Sequence, residues 1–340
     1  MLKSLLTLAS PGRASGRLSI IDLHRVVPGP DPLFLEAMDV ARFEALCRWL
    51  AGLFNVLPLD EAAARLKAGT LPPRALAITF DDGYADNHDV ALPILQRHGL
   101  TATFFISTGF IDGGRMWNDG IIETFRLCPA DRLDLRDLLD DPAADYTLHT
   151  ARERRTWLDV TIGKVKYRPI AERLALVQRI AERARVRLPD DLMMTRAQVV
   201  ALRRAGMTIG AHTMSHPILA TLSRDEASAE IDGSRRWLEA LLDERIGLFA
   251  YPNGKPGEDY HDETVTIVKS LGFDAAVSTD WAAAHRSTDP HQLPRFTPWD
   301  RTRARFCVRM ARNLWRSRAH AAARTTPARY AQPRSASNEH

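Results

Sequence analysis

The chain has 340 residues, 45% hydrophobic and 26% charged, an ordinary soluble composition with enough apolar material for one large domain or two smaller ones. Its net charge of +4 is uneven: from residue 301 onward there are ten arginines, no lysine and a single acid, Glu339, while the remainder has 36 basic against 41 acidic residues, so the basic excess says little about substrate charge and does not point to nucleic acid. Three cysteines, Cys47, Cys128 and Cys307, have no metal-ligand spacing and cannot all pair, so nothing suggests a disulfide framework and a reducing compartment is the simpler reading.

The apolar start of the chain stops at Ser10-Pro11-Gly12-Arg13. A secretory core needs roughly 7–15 apolar residues, so this is a poor signal peptide. No run approaches the roughly 20 apolar residues of a spanning helix. The expected location is therefore cytoplasmic, with residues 1–17 a separate N-terminal segment.

Residues 18–23 form the first strand candidate, with His24 at its end. Phe43, Leu46, Cys47 and Leu50 are at helical spacing within 39–51. A short strand at 56–57 and a helix over 60–67 follow, the latter ended by Gly69 and Pro72-Pro73. Ala75-Leu76-Ala77-Ile78 then reads as a buried strand closing on Thr79-Phe80-Asp81-Asp82-Gly83. Neighbouring side chains on an extended segment point opposite ways, so the two carboxylates can do different work, one binding a metal and one handling a proton. Gly83 permits a sharp turn.

Residues 89–98 read as a helix and 101–106 as a strand. Trp117 opens a helix to about 127 and could stack on a sugar face. From 129 to 194 the strand–helix rhythm breaks, and the segment reads as a largely helical insertion. Thr195–Gln198 and Ser223–Glu226 have the form of capping boxes, opening helices to 204 and about 242. Between them the apolar segment 207–211 leads into His212-Thr213-Met214-Ser215-His216. Two imidazoles four apart can converge on one ion, from a helical turn or a tight loop, and Asp82 would complete a two-His, one-carboxylate set. Strands at 246–251 and 273–278 flank a helix over 262–271, and Leu293-Pro294-Arg295-Phe296 is the last barrel element expected. The alternation predicts parallel strands with helices outside. His24, Asp81, Asp82, His212, His216 and Tyr251 all fall just after strand ends, where barrels of this type place their sites.

The pairing of Thr79-Phe80-Asp81-Asp82-Gly83-Tyr84 with His212-Thr213-Met214-Ser215-His216 resembles the polysaccharide deacetylases, carbohydrate esterase family 4, with the NodB homology domain. Phe249-Ala250-Tyr251-Pro252-Asn253-Gly254 is similar to a third motif of that family. The resemblance runs over about 18–298 and implies an α/β fold, a distorted (β/α) barrel of about seven parallel strands, filling 18–300 around the helical insertion 129–194. It implies a hydrolase of non-peptide carbon–nitrogen bonds that removes N-acetyl groups from N-acetylhexosamine units of a bacterial polysaccharide or its lipid-linked precursor. Asp81 would be the base, and Asp82, His212 and His216 the ligands of one divalent ion, zinc by default, with cobalt, nickel or iron compatible. Tyr251, Asn253 and Trp117 would meet the substrate, with a backbone N–H near Tyr251 facing the oxyanion.

Two family features are missing. Ile246-Gly247-Leu248 stands where an Arg is usual, and no late Leu-x-x-His follows Trp281. The biofilm-type poly-N-acetylglucosamine deacetylases resemble a permuted version with the His near the start, which His24 matches. Arg295 could replace the missing Arg and orient Asp81. Two other functions compete: an O-acetyl esterase or non-sugar amidase of the same fold, and a non-catalytic carbohydrate-binding or scaffold subunit of a polysaccharide assembly complex. Finally, residues 301–318 interleave Phe306, Val308, Met310, Leu314 and Trp315 with arginines, a pattern resembling an interfacial helix in peripheral contact with anionic lipid at the inner membrane face.

Overall fold

The structure is a computed structural model that describes residues 2–166 and 168–315. In chain order its elements are α1 (Leu2–Ala9), β1 (Leu18–Leu23), α2 (Val40–Leu53), β2 (Asn55–Val56), α3 (Leu59–Ala68), β3 (Ala75–Phe80), α4 (Leu92–Arg97), β4 (Thr103–Ile106), α5 (Trp117–Leu127), β5 (Arg132–Asp134), α6 (Arg136–Leu139), β6 (Asp145–Thr147), α7 (Ala151–Val165), α8 (Ile170–Arg183), α9 (Arg196–Arg204), β7 (Thr208–Ala211), α10 (Arg224–Leu242), β8 (Leu248–Ala250), α11 (Asp262–Ser270), β9 (Ala275–Val277) and α12 (Arg303–Trp315). Seven strands make one parallel sheet in the order β1-β3-β4-β7-β8-β9, with β2 on the N-terminal half of β3. This agrees with the expected α/β barrel of parallel strands.

The seam between β9 and β1 is crossed by residues 293–296. Leu293 bridges Val277 and Phe296 bridges Ile21, both in parallel sense. Here the expected last barrel element is a pair of isolated bridges, because Pro294 between them has no N–H to donate to a ladder.

Strand alternation separates two apolar layers. Leu18, Ile20, Ala75, Ala77, Phe105, Ala250 and Ala275 fill the inside with α3 beneath them, while Leu76, Ile78, Phe80, Phe104 and Ile209 meet the outer helices. The inside is tight: a Cβ on Gly210 would lie 2.5 Å from the Phe105 ring. Hence polar residues on the inward face accumulate only at the C-terminal rim.

Residues 129–194 hold α6, α7 and α8 and also an antiparallel hairpin, β5 with β6, which lies beyond the helical character expected for them. Their apolar core takes in Ile121 and Phe125 of α5. A Cβ on Gly120 would meet Val177 Cγ1 at 2.4 Å, so α5 and α8 interlock at that glycine.

The expectation of a lipid-facing apolar stripe on 301–318 needs correction. Phe306, Met310 and Leu314 are fully buried in the main core, against Trp49 and Phe54 of the α2 region and beside α1. The period-3.6 pattern is that of a core-facing helix. Only Val308 and Trp315 of its large apolar residues stay exposed. The remainder of the basic segment, 316–340, lies outside the described residues. No helix among those described is long and apolar enough to cross a membrane.

Candidate active site

Four strands end at one rim. Asp81 follows β3, with its N–H bonded to Leu23 O at 2.9 Å, and His212 follows β7, bonded to Ile106 O at 3.1 Å. Asp82 has φ +78° and Gly83 φ +91°, so the chain turns back immediately and presents both carboxylates. The His212–His216 segment is a tight loop, with Thr213 and His216 both at positive φ. Glu230 of α10 holds it: one carboxylate oxygen accepts the N–H groups of Met214 and Ser215 at 2.9 Å, the other the Ser215 hydroxyl at 2.6 Å. Such left-handed residues cluster where surrounding structure over-determines them.

Asp82, His212 and His216 offer ligand atoms that lie within 4.8 Å of one another. Each His Nε2 is 3.4 Å from Asp82 Oδ1. Ligand atoms about 2.1 Å from a shared tetrahedral ion would be separated by about this distance. Asp82 Oδ1 is buried and has no hydrogen-bond partner among the described residues. His212 Nδ1 donates to Ala250 O at 2.7 Å, which leaves Nε2 with its lone pair toward Asp82. Burial pushes the His216 imidazole down to about 4, against the pull of Asp82, so it is neutral and able to ligate. These residues fit a divalent ion.

Asp81 is set apart by Arg295, which is fully buried and reaches it with two hydrogen bonds, Nη1 to Oδ1 at 2.7 Å and Nη2 to Oδ2 at 2.6 Å. Burial would raise Asp81, but Arg295 and then His212 outweigh it and keep the carboxylate ionised. The same guanidinium lies 3.1 Å from Asp22. Asp22, His24 and Asp81 also have mutually close oxygen and nitrogen atoms, but Arg295 already supplies the cation there. His24 is exposed at the rim, and Asn87 Nδ2 donates to its carbonyl at 2.8 Å. The cavity wall around it lowers its imidazole, but Asp22, Asp82 and Asp81 together raise it above its ordinary value.

A cavity of about 300 Å³ gathers His24, Asp81, Asp82, His212 and His216 with Trp117 and Asn253. Tyr251 is not part of it. Its ring stacks on Tyr260 at 3.8 Å, its hydroxyl donates to His291 O at 2.9 Å, and its N–H is bonded to Val277 O at 3.2 Å. The expected oxyanion donor near Tyr251 is therefore not the amide of Tyr251 itself. Asn253, at φ +57°, lines the cavity, and its own N–H makes no hydrogen bond within the described residues.

Sequence reasoning missed Asp22 and Glu230. Asp22, in β1, precedes His24 by two, the spacing that shares a face where a chain stays extended, a usable signal. Glu230 sits mid-helix, and nothing in its local pattern ties it to the loop at 213–216.

The sequence profile of the family described as polysaccharide deacetylase matches residues 68–157 and 170–276. A curated relative, the polysaccharide deacetylase homologue YxkH of Bacillus subtilis, is 21% identical over 255 residues, which is 74% of this chain and 62% of that protein, so the match leaves over a third of it uncovered. The fold is that of the Streptococcus pyogenes deacetylase PplD (19% identity, TM-score 0.55, 83% of this chain and 92% of that one). It is equally that of IcaB from Ammonifex degensii (16% identity, TM-score 0.55, 87% and 97%). The chain thus belongs to the polysaccharide deacetylase family.

Proposed function

We propose that the protein is a metal-dependent de-N-acetylase of N-acetylhexosamine units in a bacterial polysaccharide or its lipid-linked precursor. The observation that carries this reading is the division of labour at the rim: three donors with an orphaned carboxylate oxygen on one side, and an ionised Asp81 clamped by Arg295 on the other. Asp82, His212 and His216 would hold zinc, or cobalt, nickel or iron. A divalent ion there would lower the pKa of water toward about 7 and polarise the acetyl carbonyl.

Asp81 accepts the water proton. Its depressed pKa makes it a weak base, which suits a water that a divalent ion held by Asp82, His212 and His216 would acidify. Asn253 and its N–H face the developing oxyanion. His24, whose imidazole Asp22 pulls above its ordinary value, would give a proton to the departing amine. Trp117 supplies a face for the sugar ring. PplD, solved with acetate, belongs to the same fold, and acetate is the second product of this reaction. The Asp81–Arg295 clamp argues against a non-catalytic subunit, which would have no use for a buried ionised base.

A lipid-linked substrate would bring the enzyme to the inner face of the cytoplasmic membrane, where the arginines of 301–318 would meet anionic lipid. Trp315 is exposed beside them. Trp315→Ala should weaken cosedimentation with anionic vesicles without changing the fold, and unchanged binding would remove that contact.

Asp82→Ala should lose both bound metal and acetate release from a chitin oligomer. Asp81→Asn should retain metal and lose most turnover. Metal retained by Asp82→Asn but lost by Asp81→Asn would reverse the two roles.

A further inference from the structure

The far wall of the cavity carries a buried guanidinium, that of Arg173, which faces no carboxylate among the described residues. Arg173, in the first turn of α8, lines it together with Trp117 and Lys166. Arg173 is only 8% exposed. Its Nη1 donates to the Lys166 carbonyl at 3.1 Å, and its guanidinium lies over the Trp117 ring, 4.8 Å from the centroid. Its Nε is buried without a hydrogen-bond partner, and among the described residues no carboxylate lies within 4.0 Å of it. Arg295, the other deeply buried arginine, engages two carboxylates. A buried guanidinium without an anion is costly unless one arrives with a ligand.

A second cavity of about 350 Å³ adjoins the first through shared walls of Lys166, Arg173 and Ile218, and adds Arg168 without any acidic residue. The path leading away from Asp82 therefore runs over positive charge. Burial lowers the Arg173 guanidinium from its ordinary value, as an unpaired cation requires, but leaves it charged at neutral pH.

Building on the deacetylase reading, we propose that Arg173 is an anion-binding residue and that the substrate is an acidic saccharide, with a phosphate or carboxylate on or next to the sugar whose acetamide reaches Asp82, His212 and His216. The planar fork of an arginine matches two oxygens of either group. The Trp117 ring, which the guanidinium already covers on one face, would place the sugar beside the anion site.

The test uses the full-length, zinc-loaded protein and calorimetry with three probes: N-acetylglucosamine 1-phosphate, a disaccharide of glucuronic acid and N-acetylglucosamine, and neutral diacetylchitobiose. At least one acidic probe should bind tenfold or more tightly than the neutral one, and the stronger of the two identifies phosphate or carboxylate. Arg173→Gln should abolish that preference and Arg173→Lys should restore part of it. Raising salt should weaken the acidic probe selectively in the wild type, which decides the matter even if Arg173→Gln fails to fold. Equal binding of acidic and neutral probes overturns the proposal, as does a preference that survives in Arg173→Gln, since the metal alone would then hold the anion. Acetate release is followed in parallel. Binding preference without turnover would sink the deacetylase reading and leave the anion site standing, while turnover of neutral sugar without preference would do the reverse.

Discussion

Arg295 compensates two buried carboxylates at once, so its removal has two consequences. Arg295→Met leaves Asp22 and Asp81 without a cation, and breaking a buried pair in this way costs about 3–5 kcal/mol. It also releases Asp81 from the field that depresses its pKa. In the wild type that depressed pKa contributes stability above about pH 3.9, lost as pH falls through the folded value. In the variant the acidic limb of the rate profile should move to higher pH, and an unmoved limb would mean that Arg295 does not tune the base. His24 is tested by its leaving group. His24→Ala should keep metal and slow amide hydrolysis roughly 10²–10⁴-fold, while an activated acetate ester, whose leaving group needs no proton, should lose far less. Equal losses would make His24 a positioning or structural residue. Asp119 gives a third measurement. Burial pushes its carboxyl up to about 7, with Tyr84 donating to it at 3.2 Å. A raised carboxyl pKa means that the folded state holds the proton more tightly, so this group makes stability fall as pH rises from about 4 to 7. Asp119→Asn should remove that slope, and a melting curve that tracks the wild type from pH 5 to 8 would refute it. The gathering of Asp81, Asp82, His212 and His216 at one rim was legible in the sequence because each follows a strand, whereas Arg295 lies in no strand and was reached only as a substitute for a missing Arg. Tyr251 was misplaced because adjacency to a strand end does not say whether a side chain faces the rim or the helices.

At the scale of elements, patterns long enough to repeat were readable and shorter ones were not. The strand at 18–23 agrees with β1, and both capping boxes form, with Thr195 accepting from Gln198 N–H and Ser223 from Glu226 N–H. The hairpin β5–β6 escaped because its strands have three residues each, too few to show alternation. Only pairing across the hairpin, as between Arg132 and Asp145, defines it. Helix α12 was readable as amphipathic, but the stripe alone does not say whether its partner is lipid or protein. Phe306→Ala should therefore cost about 3–5 kcal/mol, as for a core aromatic, and a loss near zero would return this helix to the surface. The interlock of α5 and α8 makes a further prediction. Ala favours a helix over Gly by about 1 kcal/mol, yet Gly120→Ala drives a methyl into Val177. Overpacking of about 1–3 kcal/mol should win, and melting should fall. A rise would show that α8 can withdraw, carrying Arg173 away from Trp117.

Across the whole molecule, the sheet is continuous except where β9 meets β1. There the connection rests on Leu293 and Phe296, whose backbone groups exchange hydrogen bonds with Ala276, Ser278, Ile20 and Asp22. Arg295 lies between those two anchors, so one short segment both fastens the barrel and holds Asp81, the proposed base, ionised. Closure and chemistry are thereby the same event. If the fastening slips, the guanidinium leaves Asp81 before any strand has melted, and the rim becomes two buried acids that take up protons. The enzyme should then fall silent in urea at concentrations where its helices still give a native far-ultraviolet spectrum, and amide exchange at Ser278 and Phe296 should quicken over that same range. Coincident loss of turnover and helicity would show instead that the seam holds until the barrel fails as one body.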